Sequence, residues 1–356
     1  MSDKQRVVAV TRFSAMGDIA MTVPALYAAC AANRSVRFVM VTRKAFAPIY
    51  ADRPANLEVR GIDLRDRRYR GVCGMRRLAG ELRAAGVTDL ADLHNVLRTR
   101  VLSLWLRCGG VRVRRLDKQR RQRRRLCARG AADAADAAAL TPVITRYAEV
   151  FASLGLDCDP ASFAGYARAD GEDTLAPTAR TRIGFAPFAA HPGKVYPPER
   201  MLEVISAVAA RPHTAVYLFG GGARESAILG QWTERLHAQG RDVVNMAAVR
   251  AGFAGEIAVI SRLDAMVSMD SGNMHLAALC RVPVVSIWGA THPAAGFAPW
   301  KGERTLMLGD DDLRCRPCSI FGNKECRYGD CRCFASVTVS RVIDAIDRAV
   351  NNNIRQ

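Results

Sequence analysis

The stretch VVAVTRFSAMGDIAMTVPAL, residues 7–26, decides the fold class. Four apolar residues (Val7, Val8, Ala9, Val10) read as a buried strand. The run breaks at small residues around Gly17, and a second apolar segment begins near Pro24 with the composition of a helix. Strand, glycine turn and helix in that order form the first half of a βαβ unit, which calls for a parallel sheet. Proline cannot sit unbent in a helix interior, so Pro24 should restart or kink the helix. One acid, Asp18, stands at the turn with no opposite charge following it.

The same alternation continues outward. RVVAV is followed by the helix, then VRFVMV, LEVRGIDL, a helix around 75–85 and a short strand near VTDLADL. A helical region is expected over 131–154. The segment CDPASFAGYARADGEDTLAPTART is rich in Ala, Gly, Asp and Pro, and marks a domain boundary. A second series then runs RIGFAPF, helix 198–210, TAVYLFGGG, helix 225–239, DVVNM, helix 255–262, DAMVSMD, helix 273–280 and VPVVSIWG. Two α/β halves of similar size suggest two doubly wound domains, 1–165 and 180–335, facing one another across a cleft. Near the C-terminus Val339, Val342, Ile343, Ile346, Ala349 and Val350 make one stripe of an amphipathic helix.

Composition narrows the function classes. The 356 residues are 49% hydrophobic, enough for sizeable cores. No apolar run reaches the ~18 residues of a membrane helix. The opening MSDKQR runs straight into the first strand without an apolar signal core, so a cytoplasmic protein is expected. Against 34 acidic residues stand 52 basic ones, a net charge of +18 that argues for an anionic partner. Nine of the fourteen residues in 112–125 are basic: Arg112, Arg114, Arg115, Lys118, Arg120, Arg121, Arg123, Arg124 and Arg125. No aromatic residue interleaves them, which speaks against a base-stacking nucleic-acid platform. A solvated basic loop is the plain alternative.

Ligands of open parallel sheets bind beyond the carboxyl ends of the strands, and chemistry-bearing residues cluster at three such ends. SAMGD carries Asp18. The Gly/Pro-rich loop APFAAHPGKVYPPER carries Lys194. In VSMDSGNMHLAAL a strand ends at Asp270, and Ser271, Gly272 and Asn273 open a helix with His275 in its first turn. Free N–H groups and the helix dipole there favour a phosphate. Asp270 would be repelled by that anion and suits sugar hydroxyls. Gly220 and Gly221 in FGGGARES could let the backbone approach a nucleotide, or simply make a tight turn. There is no Walker A motif and no serine elbow.

RFSAMGDIAMTVPAL, GKVYPPERM and DSGNMHLAALCRVPVVSIWGATHP resemble, in order and spacing, glycosyltransferase family nine, the ADP-heptose:lipopolysaccharide heptosyltransferases. The likeness covers residues 6–350. It implies a GT-B fold, with the last helix, 338–350, packed back on the N-terminal, acceptor-binding domain. It implies Asp18 as the catalytic base of an inverting transfer and Lys194 as the diphosphate contact. Ser271, Gly272 and His275 would cradle phosphate, and Asp270 would hold sugar hydroxyls. Serine replaces the more usual threonine at 271, tyrosine the more usual tryptophan at 196, and Ala189 and Ala190 stand where phosphate-touching hydroxyls are common.

The resemblance also implies partners: an ADP-sugar donor, a lipid-linked phosphorylated oligosaccharide acceptor, and the anionic cytoplasmic face of the inner membrane, met by the basic run. The same fold could serve a protein or other glycan acceptor. A non-catalytic nucleic-acid binder has charge alone in its favour. No cofactor is needed for the chemistry. Of eleven cysteines, six are scattered (Cys30, Cys73, Cys108, Cys127, Cys158, Cys280) and read as reduced, mostly buried thiols. The other five give C-x2-C-x7-C-x4-C-x-C. Cys315, Cys318, Cys326 and Cys331 or Cys333 have spacing tolerable for a structural zinc, or for a reduced or disulfide-linked loop.

Overall fold

The computed structural model describes residues 5–130, 139–170 and 174–354. The chain divides into two compact units, 1–118 with 142–164, and 119–141 with 165–356.

In the first unit β1 (Val7–Thr11) leads through α1 (Met16–Ala20) and α2 (Thr22–Ala32) to β2 (Arg37–Arg43) and β3 (Leu57–Ile62). Then follow α3 (Gly71–Ala84), β4 (Asp89–Asp92), α4 (Leu97–Cys108) and β5 (Arg112–Arg115). The next helix, α5 (Arg120–Arg129), belongs to the second unit, and α6 (Val143–Ala152) returns to the first. All five strands are parallel, in the order β3-β2-β1-β4-β5. The direction in which successive strands are added to the sheet reverses between β1 and β4, so the crevice such a sheet offers a ligand opens beyond those two carboxyl ends. Pro24 acts as the sequence suggests. α1 stops before Met21, α2 starts at Thr22, and Pro24 falls in the first turn of α2, where its missing N–H costs nothing. The Thr22 hydroxyl donates to the Ile19 carbonyl across the break, at 2.7 Å.

The second unit contains β6 (Thr181–Ala186), α7 (Pro198–Ala209), β7 (Thr214–Leu218), α8 (Gly222–His237) and β8 (Val243–Asn245). It continues with α9 (Met246–Val249), α10 (Gly252–Ile260), β9 (Ala265–Met269), α11 (Gly272–Leu279), β10 (Val284–Ile287), β11 (Thr305–Leu308) and α12 (Val339–Ile354). Its six strands are again parallel, in the order β11-β10-β9-β6-β7-β8. Here the reversal lies between β6 and β9, the strands that deliver the Lys194 loop and Asp270.

Several expectations need correction. The stripe on α12 is real, but Val342, Ala345, Ile346 and Ala349 are buried in the second unit's core, beside α7 and the β9–β11 side of the sheet. A stripe states that a face must be covered, not by what. The basic run does not sit wholly in the first unit. Arg112 and Arg114 lie on the edge strand β5, where Arg112 pairs with Asp89 (2.5 Å) and Arg114 donates to the Ser153 carbonyl (3.2 Å). Arg120, Arg121, Arg123, Arg124 and Arg125 lie on α5 in the second unit. That helix is anchored by buried Leu126 and by Arg123, whose guanidinium lies over both Phe297 and Phe321 (5.9 and 5.5 Å). The helical region expected over 131–154 is α6 at its C-terminal end, while 131–138 lie outside the described residues. Of the scattered cysteines, Cys30 and Cys280 are buried, whereas Cys73 and Cys108 are exposed.

Candidate active site

At the reversal point of the first sheet, Asp18 is the third residue of α1, where a carboxylate can reach back to the unbonded N–H of the residue before the helix. Asp18 Oδ2 accepts from the Ala15 N–H at 3.3 Å and pairs with Arg12 Nη2 at 2.5 Å. The acid that seemed unpaired therefore has its partner six residues earlier. Arg12 is buried, and its Nη1 donates to the Leu93 carbonyl at 2.7 Å. Burial opposes its charge, but Asp18 and, behind it, Tyr147 and Asp92 hold its pKa above the ordinary value.

The end of β4 completes this cluster. Asp92 Oδ1 accepts from the backbone N–H of His94 and Asn95 at 3.0 and 2.9 Å and from the Thr11 hydroxyl at 3.3 Å. The turn so formed places His94 Nε2 3.3 Å from the Ser14 hydroxyl. Burial, then the charges of Arg12 and Lys118, push His94 down to about 3, so its ring is neutral at physiological pH. Arg12, Ser14 and His94 are therefore site residues that the motif reading passed over. Arg12 and Ser14 lie within the quoted stretch, and HNV directly follows a strand. Only the strand order shows that β4 is the neighbour of β1.

At the reversal point of the second sheet, Lys194 Nζ lies 2.8 Å from Asp270 Oδ2, both side chains largely buried. The Lys194 loop is tightly seated. The Gly193 carbonyl accepts from the Ala290 N–H at 2.7 Å, and a Cβ on Gly193 would come within 2.9 Å of the Ala290 side chain and the Gly322 carbonyl. Gly322, at φ +70°, passes so close to the lysine stem that a Cβ there would lie 2.7 Å from Lys194 Cγ. Behind the loop, buried Tyr196 donates to the Val337 carbonyl at 2.7 Å.

The helix expected after Asp270 is α11, with Ser271 preceding it and Gly272 as its first residue. The Ser271 hydroxyl does not cap the helix; it lies 3.1 Å from the Ser268 hydroxyl. Asn273 is half-buried and His275 is buried in the first turn. The structure thus brings Lys194, Asp270 and the start of α11 together. Gly220 and Gly221 have a different surrounding. The Gly221 N–H donates to Glu225 Oε2 at 2.8 Å, and Gly220 faces Leu229 of α8. A carboxylate at that helix start suits hydroxyl groups better than phosphate.

Among the described residues, no group of three or more His, Cys, Asp or Glu side chains could hold a metal ion. Within the loop, burial and then the neighbouring Cys315 and Cys326 raise the Cys318 thiol, and burial and then Cys326 raise Cys331. The thiols also differ in character: burial pushes Cys333 up to about 12, while the Tyr328 N–H holds Cys326 below its usual value. What organises this loop is Arg316, 1% exposed. Its guanidinium donates to the carbonyls of Gly289 (2.8 Å), Trp288 and Thr291 (both 3.1 Å) and Asp310. Burial pulls its pKa down, against the pull of nearby Asp311. Arg316 thereby holds the turn against which Gly193 packs, a role that no local sequence signal announces.

A family model described as glycosyltransferase family 9 (heptosyltransferase) matches residues 75–328. The chain is 27% identical over 330 residues to lipopolysaccharide heptosyltransferase 1 of Pseudomonas aeruginosa, covering 90% of this chain and 87% of that one. In fold it is similar to a family 9 glycosyl transferase of Veillonella parvula, with TM-score 0.74, 18% identity and 99% of each chain covered. It is also similar to the E. coli ADP-heptose lps heptosyltransferase II, with TM-score 0.68, 17% identity and 98% and 99% covered.

Proposed function

Because the chain belongs to glycosyltransferase family 9, the heptosyltransferases, we propose that this glycosyltransferase moves a heptose from ADP-heptose onto a lipopolysaccharide inner-core acceptor, with Asp18 as general base. The observation that carries the donor side is the meeting of Lys194, Asp270 and the N-terminus of α11 at the carboxyl ends of β6 and β9. A diphosphate brought there finds an ammonium and free helix N–H groups. Lys194 then turns from Asp270 to the phosphates, and Asp270 is released to accept from sugar hydroxyls. The relatives' names point to the adenosine donor and the lipopolysaccharide acceptor.

The acceptor hydroxyl attacks the anomeric carbon while its proton passes to Asp18. The bond from that carbon to the phosphate oxygen breaks, and ADP leaves with the electron pair. Configuration inverts because attack and departure occur on opposite faces. General-base help of this kind is worth ~10²–10⁴-fold, and Lys194 with the α11 amides offsets the charge on the leaving group. No described helix is long and apolar enough to cross a membrane. The exposed arginines of α5 (Arg120, Arg121, Arg124, Arg125) give the chain a positive face for the anionic cytoplasmic surface where a lipid-linked acceptor lies, each charge near such a surface being worth ~1 kcal/mol.

Calorimetric titration with ADP-, UDP- and GDP-linked sugars tests the donor. Preference for the adenosine donor is expected; preference for a uridine or guanosine donor would sink the heptose assignment and spare the fold.

A further inference from the structure

Both contacts that hold the Asp18 carboxylate go to the same oxygen. Oδ2 receives the Arg12 guanidinium at 2.5 Å and the Ala15 N–H at 3.3 Å. No described residue donates to Oδ1, and the side chain is 20% exposed. Arg12 itself cannot swing away. Its side chain is 9% exposed, and its second terminal nitrogen is fixed on the Leu93 carbonyl at the end of β4. A planar guanidinium with one nitrogen on a strand-end carbonyl and the other on a carboxylate sets both the position and the rotation of that carboxylate.

We propose that Arg12 is the positioning residue for the general base: it takes up Asp18 Oδ2, so that Oδ1 is the oxygen presented to the acceptor hydroxyl and receives its proton. This rests on Asp18 being the base. The proton leaves the acceptor oxygen for Oδ1 as that oxygen bonds to the anomeric carbon and the bond to ADP breaks; Arg12 keeps its own protons throughout. Without Arg12 the carboxylate is tethered only by the Ala15 N–H and can rotate. A displacement of about 1 Å at a reacting group can cost ~10²-fold in rate.

The experiment is a double-mutant cycle on the full chain with R12M, R12K, D18N and R12M/D18N. It reads kcat and KM with an ADP-heptose donor and a soluble, deacylated core acceptor, together with ADP affinity by calorimetry and the melting temperature. R12M should lower kcat about 10²-fold, with ADP affinity and acceptor KM within about threefold of wild type. R12K retains the charge but lacks the planar fork that holds the Leu93 carbonyl and Asp18 Oδ2 together, and its kcat should fall between those of wild type and R12M. In the D18N background R12M should cost almost nothing more, because a positioning residue acts only through the group it positions.

A loss from R12M that is as large in the D18N background as in the wild type, or that tracks a fall in melting temperature, would show a purely structural residue and overturn the proposal. So would a kcat unchanged in R12M. Near-wild-type turnover by D18N overturns the base assignment itself, an outcome distinct from a failure confined to Arg12.

Discussion

Replacing Lys194 by methionine leaves the lysine stem, which packs on Gly322, and removes the charge that faces Asp270. The two partners are not equivalent. Asp270 is 5% exposed and held at the end of β9, whereas Lys194 is 15% exposed on a flexible stem. An orphaned carboxylate has no way out, but an orphaned ammonium can turn to water. Breaking a buried pair by removing one partner costs ~3–5 kcal/mol, and partial exposure of the lysine puts K194M near the lower bound, ~3 kcal/mol. For a unit of about 200 residues that corresponds to a melting-temperature drop of ~6–12 °C. D270N should cost less, ~1 kcal/mol. The double variant K194M/D270N should be more stable than K194M, because no uncompensated charge remains. Unfolding followed by tryptophan fluorescence, without nucleotide, is a suitable assay, since Trp232, Trp288 and Trp300 all lie in the second unit and only Trp105 in the first. A K194M melt within about 1 °C of wild type, or a double variant less stable than K194M, would refute the reasoning.

The other predictions concern the rest of the framework. His94 titrates near 3 when folded against an ordinary value of 6.5. The unfolded chain therefore takes up a proton below about 6.5 that the folded one refuses, and stability present at neutral pH is lost as pH falls from 6.5 toward 3. Urea unfolding at pH 7 and pH 5 should show a smaller acid-side loss for H94Q than for wild type; equal losses would exclude His94 as a cause. R316M removes the donor that serves four carbonyls and should destabilise the second unit by about 3 kcal/mol or more. R316K should recover only part of that, because an ammonium cannot span all four acceptors; melting curves and ADP affinity check both. Exchanging Arg120, Arg121, Arg124 and Arg125 for glutamine should weaken binding to anionic vesicles by ~1 kcal/mol per charge while leaving turnover of a soluble acceptor unchanged. Arg123 is spared in that variant because it anchors α5 between Phe297 and Phe321.

Much of this protein follows from local sequence. Apolar runs of strand length, glycine turns and helical stripes announce two βα series. They also put Asp18, Lys194 and Asp270 at strand ends, because each signal is decided by the conformations of a few neighbouring residues. Side-chain pairing does not follow that way. Arg12 and Asp18 are six residues apart in a stretch that already stood out, yet nothing in their order shows that a guanidinium fixed on Leu93 would turn back onto the carboxylate. Helix α4, strand β5 and strand β11 went unanticipated, and a run dense in arginine concealed both an edge strand and a helix.

The sequence by itself determined that parallel α/β layers form and which loops stand at their carboxyl ends. Only the tertiary structure decided which loops become neighbours. The orders β3-β2-β1-β4-β5 and β11-β10-β9-β6-β7-β8 bring His94 to the Asp18 cluster and Lys194 to Asp270. The same holds for α12, whose stripe demanded burial without naming the surface, and for Arg316, whose charge is tolerable because three carbonyls of the 288–291 turn and that of Asp310 converge on it. The physical reason is common to all of these. Hydrophobic periodicity and turn chemistry act over a few residues, whereas strand pairing, burial partners and buried ion pairs are settled by which distant segments reach one another as the core closes.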